Sequence, residues 1–259
     1  MICTLARRYT LISKQKNSLT FFQFPNLAEC ADIQHGIFTR KGGRSKAPFH
    51  GLNVSFSAGD ADTAVRQNRF LISQCMGETP LVFVRQVHGT DVARIRDDTP
   101  LSQPADAMIT DMPGRCLVIQ VADCQAVLMY DPVRRVVANV HSGWRGSIHN
   151  IIGKTLRVMK AEFGCDPCDV IAGIGPSLGP CCAEFIHFQK EIPEIFWKYK
   201  DPADHFDFWA ISRDQLVSEG VPGSNIHTSG LCAKCRTDLF FSYRGERTTG
   251  RFAALIGLR

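Results

Sequence analysis

The chain has no run of about 18 apolar residues, which removes a membrane-spanning helix from consideration. It also lacks the apolar segment of a secretory signal. Its 11 cysteines are odd in number and scattered, which argues against a disulfide framework and for a reducing cytoplasm. Neither sign of charge dominates: 30 basic residues stand against 25 acidic ones, for a net +5. That mild bias suits a phosphate-bearing or otherwise anionic small ligand. With no dense lysine or arginine run after residue 20, it falls short of a nucleic-acid footprint. None of the eight histidines sits in a His-x-His pair, so the histidine-rich ligand set of a multi-copper cluster is missing. No internal repeat, low-complexity linker or composition shift marks a boundary, and 44% hydrophobic content is ample for a core. One interwoven domain of mixed helices and strands, spanning residues 1–259, is expected.

What is present concentrates in residues 117–146, which read LVIQVADCQAVLMYDPVRRVVANVHSGWRG. Residues 126–131 and 136–140 are short, apolar and rich in branched or bulky side chains, and the Asp131-Pro132 step between them predicts the turn of a hairpin. With the turn centred between Val133 and Arg134, Cys124 lies opposite Ser142 or Gly143, and His141 is its near neighbour. Paired strands run about 5 Å apart, so a thiolate and an imidazole at this end can reach one small ion. Asp123 adds a carboxylate beside the thiol, and residues 142–146 are expected to form a loop from which a helix leaves. Upstream, residues 84–92 alternate as a strand that presents His88 before Gly89, where a glycine lets the backbone turn away. His88 is the candidate third ligand. One cysteine and two histidines leave a zinc ion an open position, as catalytic sites do. The same residues also fit a buried cysteine and satisfied core histidines.

Elsewhere the pattern is mostly architectural. Arg7, Arg8, Lys14 and Lys16 are unopposed by any acid among the first twenty residues, as in a transit peptide. Alternation at residues 10–12 and 19–24 fits a terminal hairpin within residues 1–30 at least as well. Gly42-Gly43 follows Arg40 and Lys41 in a loop able to wrap an anion, ahead of Asn53. Residues 60–76 predict a helix capped by Asp60 or Asp62 and stopped at Gly77; residues 147–163 predict another, and Ser212 a cap for a third. The glycine and proline cluster at 175–182 is a plausible rigid wall of a pocket. Cys165-x-x-Cys168 and Cys232-x-x-Cys235 lie much farther apart than the about 15 to 20 residues of a zinc ribbon. Adjacent Cys181 and Cys182 would point oppositely if extended, so at most one should face a given pocket. All six are expected to be buried or neutral thiols rather than ligands.

The stretches HGIFTRKGG, VRQVHGTDV, ADAMITDMPG, VADCQAVLMYDP, VVANVHSGWRG, IGPSLGPCC and FFSYRGERTTGR occur in that order. Through them the chain resembles the multicopper polyphenol oxidase or laccase-domain family, whose members act as broad-specificity purine nucleoside phosphorylases. The resemblance runs from about His35 onward, and the ADC and HxGWRG pieces are its most specific part. It implies an α+β fold, a single four-layer α/β/β/α sandwich with mixed sheets, as a monomer or homodimer. It also implies zinc, with copper as the alternative ion, on His88, Cys124 and His141. The implied reaction is phosphorolysis of adenosine, inosine, guanosine and S-methyl-5′-thioadenosine, with adenosine deamination as a side activity. Asp123 would serve as the proton shuttle, and Arg40, Asn53 and Arg145 as substrate-binding residues. Two departures bear on substrate preference: Ala183 stands where the family has tyrosine, and Gly245 where it has arginine. Three other functions compete: a copper-dependent phenol oxidase, a metal-free hydrolase with Cys124 as nucleophile and His141 as base, and a binding protein with a purely structural zinc.

Overall fold

In a computed structural model, residues 11–97 and 103–259 are described. Arg7 and Arg8 therefore lie outside the described residues. The expected terminal hairpin is present as β1 (Ile12–Lys16) and β2 (Leu19–Gln23), followed by the short helix α1 (Pro25–Ala28) and β3 (Ile33–Phe38). Next come α2 (Asp62–Cys75), β4 (Leu81–Val82), β5 (Val92–Arg94), β6 (Ala107–Thr110) and β7 (Cys116–Val121). The central hairpin is β8 (Gln125–Asp131) and β9 (Val136–Ser142), after which α3 (Trp144–Ile148), α4 (Ile151–Phe163) and β10 (Ile171–Ile174) follow. The chain continues through α5 (Phe188–Glu191), α6 (Phe208–Ser218), β11 (Ile226–Thr228), α7 (Tyr243–Glu246) and β12 (Phe252–Leu258).

The strands form two six-stranded mixed sheets, ordered β1-β2-β3-β12-β7-β4 and β11-β10-β8-β9-β6-β5. Alternation decides which way each side chain faces. Ala126, Leu128 and Tyr130 of β8 pack with Val137 of β9 against Ile119 of β7 and Ala254 and Ile256 of β12, so they fill the space between the sheets. Val127 and Met129 point the other way, onto Ile151, Ile152, Leu156 and Met159 of α4 and Leu216 of α6. On the far side, Ile72 and Cys75 of α2 cover Val118 and Leu255 of the first sheet. Helix, sheet, sheet and helix therefore stack as four layers, and β12, inserted between β3 and β7, ties the two ends of the chain into one body. Asn139, fully buried on the inter-sheet face of β9, donates to Leu117 and Ala254 carbonyls at 2.9 Å, which joins the layers directly.

Local sequence errs at several element ends. The expected strand at 84–92 is irregular up to Asp91: Arg85 makes only an isolated bridge to Pro104, and the Val87, His88 and Gly89 amides are held by the Asp106 carboxylate. The single helix expected at 147–163 is two, broken where Asn150 turns left-handed (φ 51°) and its side chain accepts the Gly153 amide. Trp144 to Gly146, expected in a loop, are helical. Ala61, with no side-chain cap, precedes α2, while Asp60 instead accepts from Asn53. Asp207 rather than Ser212 caps α6; Ser212 is buried and donates to Gln125.

One buried histidine links this core to pH. His35 is 1% exposed, its Nε2 accepts the Phe24 amide at 2.9 Å, and burial lowers its pKa to about 4. The unfolded chain takes up that proton near pH 6.5, so stability is complete above 6.5 and declines as the pH falls toward 4. The His35 contribution to this loss is on the order of 3 kcal/mol. In urea denaturation series at pH 7 and pH 4.5, His35→Gln, an uncharged acceptor, is expected to lose distinctly less stability than the wild type. Equal losses would refute this.

Candidate metal centre and cleft

The register of the central hairpin sets the site. Gln125 pairs with Ser142 and Ala126 with His141, so Cys124, one step before β8, falls opposite Gly143 and diagonal to His141. Cys124 shares the inter-sheet face with Ala126 and Leu128, as His141 does with Val137 and Asn139, so both point into one end of the space between the sheets. His88 closes the triangle from above. The ligand atoms of His88, Cys124 and His141 all lie within 4.8 Å of one another, and the two imidazole rings meet edge to face at 4.8 Å.

Asp106, fully buried just before β6, holds two corners of that triangle. Its Oδ1 lies 2.7 Å from His141 Nδ1 and accepts the His88 amide at 2.9 Å, while Oδ2 accepts the Gly89 amide at 2.7 Å. These bonds hold His88 itself at φ 58°, so the left-handed residue of the turn is the histidine and not the following glycine. Gln86 fastens the same segment to the other sheet by exchanging 2.9 Å hydrogen bonds with the Gln120 backbone. A Cβ on Gly143 would sit 2.9 Å from His88 Nδ1 and 3.1 Å from Cys124 Sγ; only glycine leaves room between those ligands.

Burial alone would raise the Cys124 thiol pKa, but His141 and His88 beside it bring it down to about 6. For His141, burial is overcome by the Cys124 thiolate and the Asp106 carboxylate, and its pKa rises to about 9. Asp106 remains ionised: burial opposes this, and the hydrogen bond and charge of His141 with the Gly89 and Val87 amides outweigh it. The donor set is thus one ready thiolate and two imidazoles, with His141 Nδ1 engaged by a carboxylate as metal-ligating histidines are. Among the described residues no fourth histidine, cysteine or carboxylate joins them. The set fits a zinc ion that keeps one position open.

That open side faces a cleft of about 730 Å³. Phe56, Phe83, Trp144, Phe185, Phe208 and Tyr243 supply aromatic surface, and Arg69, Arg85, Arg244 and Arg251 supply guanidinium groups. Asp123 lines it next to Cys124 with a left-handed backbone (φ 87°). Its carboxylate accepts Ser242 Oγ at 2.6 Å and the Arg244 amide at 2.5 Å, and its carbonyl accepts the Leu178 amide at 2.8 Å. Burial raises the Asp123 pKa despite those bonds and the nearby Arg244 and Arg251.

The three expected substrate-binding residues lie elsewhere. Arg40 pairs with Glu246 at 2.7 Å, donates to the Thr237 carbonyl and stacks on Phe241; it borders a separate cavity of about 470 Å³ beside Lys41, Gly42 and Gly43. Asn53 is fully buried and holds its loop, accepting the Ser55 and Arg251 amides and donating to Asp60. Arg145 is exposed and stacks over Trp144, because α3 begins one residue earlier and turns it outward. Sequence reading missed Asp106, Ser242, Arg244 and Arg251. For Asp106 a signal existed: an acid directly before the apolar run Ala107–Thr110 must be either exposed or partnered. Ala183, where tyrosine was expected, is buried with Phe206 and Phe208 behind the aromatic wall.

Residues 34–259 match the family model described as multi-copper polyphenol oxidoreductase laccase. A protein of Bacteroides thetaiotaomicron named purine nucleoside phosphorylase is 33% identical over 253 residues, covering 90% of this chain and 93% of that one. Purine nucleoside phosphorylase YlmD of Geobacillus stearothermophilus is 32% identical over 246 residues, covering 86% and 89%. The crystal structure of YlmD superposes with a TM-score of 0.85 at 30% identity over 96% of this chain and 100% of that one. That of a Bacillus licheniformis hypothetical protein, YfiH, gives 0.84 at 28% identity over 95% and 99%.

Asp106→Asn keeps the shape but removes the charge behind His141, and is expected to weaken zinc binding by about 10- to 100-fold. Gly143→Ala is expected to weaken it as well, by crowding His88 and Cys124. Competition against a chromophoric chelator measures both, and affinities equal to wild type would show that neither residue shapes the site.

Proposed function

This chain belongs to the family described as multi-copper polyphenol oxidoreductase laccase, and on that premise we propose that it is a zinc-dependent purine nucleoside phosphorylase. Its substrates are adenosine, inosine, guanosine and S-methyl-5′-thioadenosine, with adenosine deamination as a side activity. The observation that carries the proposal is the three-donor site opening onto a cleft that pairs flat aromatic walls with several arginines. Relatives covering most of this chain and named purine nucleoside phosphorylase support it.

A purine ring has two apolar faces and a polar edge, which suits slots between rings such as Phe185, Phe208 and Tyr243. Phosphate is recognised by guanidinium groups, and Arg251 and Arg244 flank Asp123 in the cleft where Arg40 and Arg145 do not reach. In phosphorolysis a phosphate oxygen bonds to the anomeric carbon as the bond to the purine nitrogen breaks, and that electron pair leaves on the base. The proton that neutralises the base comes from Asp123, whose carboxyl is pushed by burial above the ordinary carboxylate range. The products are free base and sugar 1-phosphate. Deamination uses the same carboxyl group to take the proton of an attacking water and hand it to departing ammonia. Zinc, when bound by His88, Cys124 and His141, supplies a Lewis acid at its open position.

A multi-copper oxidase would need more histidines in one place. Among the described residues, the one group of candidate ligands that contains histidine has two, and His35 is committed to the Phe24 amide in the core. Cytoplasmic residence and action without a nucleic-acid or membrane partner complete the proposal; among the described residues no helix is long and apolar enough to cross a membrane.

Purified protein incubated with inosine is expected to release hypoxanthine only when phosphate is present, and Cys124→Ala is expected to abolish the release. Asp123→Asn should lower kcat by about 10²- to 10⁴-fold, and Arg251→Ala should raise KM for phosphate. Base release independent of phosphate, or turnover of phenols that requires copper and oxygen with no base released, would overturn the assignment.

A further inference from the structure

Two loops, the first of which lines the cleft through Leu178, meet over four cysteines. After β10 the chain turns at residues 175–182, and residues 229–236 lie alongside: the Ser229 amide donates to the Ile174 carbonyl, Ser177 to Leu231, and Ala233 back to Ser177, so Ser177 and Cys232 pair as a parallel bridge. Cys181 and Cys182 do not alternate as an extended chain would. The Cys182 and Ala183 amides both bond the Gly179 carbonyl, and that tight turn carries the two thiols to the same side. Gly179 makes this approach possible, since a Cβ there would lie 2.7 Å from the Trp209 ring and 3.1 Å from Cys232 Cβ. As a result the sulfurs of Cys181, Cys182, Cys232 and Cys235 all fall within 4.8 Å of one another. Both Cys181 and Cys182 thus face one cluster, where at most one was expected to face a given pocket, and Cys232 and Cys235 join them while Cys165 and Cys168 do not.

We propose that these four cysteines bind a second zinc ion, in a closed structural site separate from the His88, Cys124 and His141 centre. Four thiolates around zinc at about 2.3 Å stand about 3.8 Å apart at tetrahedral corners. Cys235 Sγ is 3.6 Å from both Cys181 Sγ and Cys182 Sγ, near that spacing and equal to two partners at once. A disulfide would choose one partner and leave the others behind; a shared cation accounts for all four. No fourth position is left for substrate, so the role is mechanical. The two clamped loops lead directly to the grips on Asp123: Leu178 bonds its carbonyl, and Ser242 and Arg244 hold its carboxylate. A zinc ion here fixes the spacing of two walls of the cleft.

The test counts zinc per chain in full-length protein kept under a metal-free reductant. Wild type is expected to carry about two zinc ions, Cys124→Ala about one, and Cys232→Ser/Cys235→Ser about one. In the Cys124→Ala protein loaded with cobalt, an intense thiolate-to-metal absorption band is expected, and it should vanish when Cys232 and Cys235 are also replaced. Because a cysteine variant can fail to fold, alkylation of the wild type followed by peptide mass mapping is read in parallel. Exposed Cys168 should react at once, and the four clustered cysteines only after a chelator is added. Immediate alkylation of all four thiols in reductant, or a Cys124→Ala protein that folds but retains no zinc, would overturn the proposal. Both readouts are independent of whether the cleft performs phosphorolysis.

Discussion

One buried carboxylate organises the candidate centre. Asp106 is fully buried, and its charge is spent on the His141 ring and on the amides of Val87, His88 and Gly89. Carboxylates so placed are expensive unless every oxygen is occupied, and here both are. The same group therefore sets the orientation of one imidazole and the backbone twist that presents another. Cys124 needs no such support, because the β8–β9 register delivers it. The centre combines one ligand fixed by the sheet, one fixed by sheet and carboxylate together, and one fixed by the carboxylate through its backbone.

A second network governs the cleft wall. Arg40 bonds Glu246, whose other oxygen accepts the Ser242 amide and the Thr249 hydroxyl, and Ser242 in turn holds Asp123. Arg40 is thus connected to the cleft through three intermediaries rather than by contact with a ligand. Its stacking on Phe241 and bond to Thr237 leave it little freedom to do otherwise. Asn53 acts similarly, fixing the Arg251 amide while its own side chain stays sealed in the core.

The sequence revealed whatever depended on local pairing. The hairpin, its turn and the placing of Cys124 against Gly143 follow from two apolar runs and one proline step, and the observed partners sum to the same register. It concealed what depended on distant partners. Arg40 looks like an anion ligand beside two glycines until Glu246, 206 positions later, claims it. The His88 segment looks like a strand because its residues alternate, yet beyond an isolated bridge at Arg85 its amides go to the Asp106 carboxylate and its Gln86 side chain to the Gln120 backbone. The cysteine cluster was hidden for another reason: Cys181 and Cys182 would alternate if extended, and only the turn at Gly179 brings both beside Cys232 and Cys235. The resemblance through the ADC and HxGWRG stretches carried the layered architecture, which composition alone could not.

The position of β12 has a kinetic side. It is the strand that joins β3 to β7, so the first sheet remains two unconnected pieces until a segment more than 200 residues downstream of β3 has found its slot. Closing so long a loop costs entropy before any ladder bond compensates, which makes assembly slow and leaves the flanks of β3 and β7 open to wrong partners in the meantime. Every residue of β12 is buried, and once seated it has no face from which to fray. The same insertion that delays the native state makes leaving it equally concerted, since the strand cannot peel away without opening both neighbours at once.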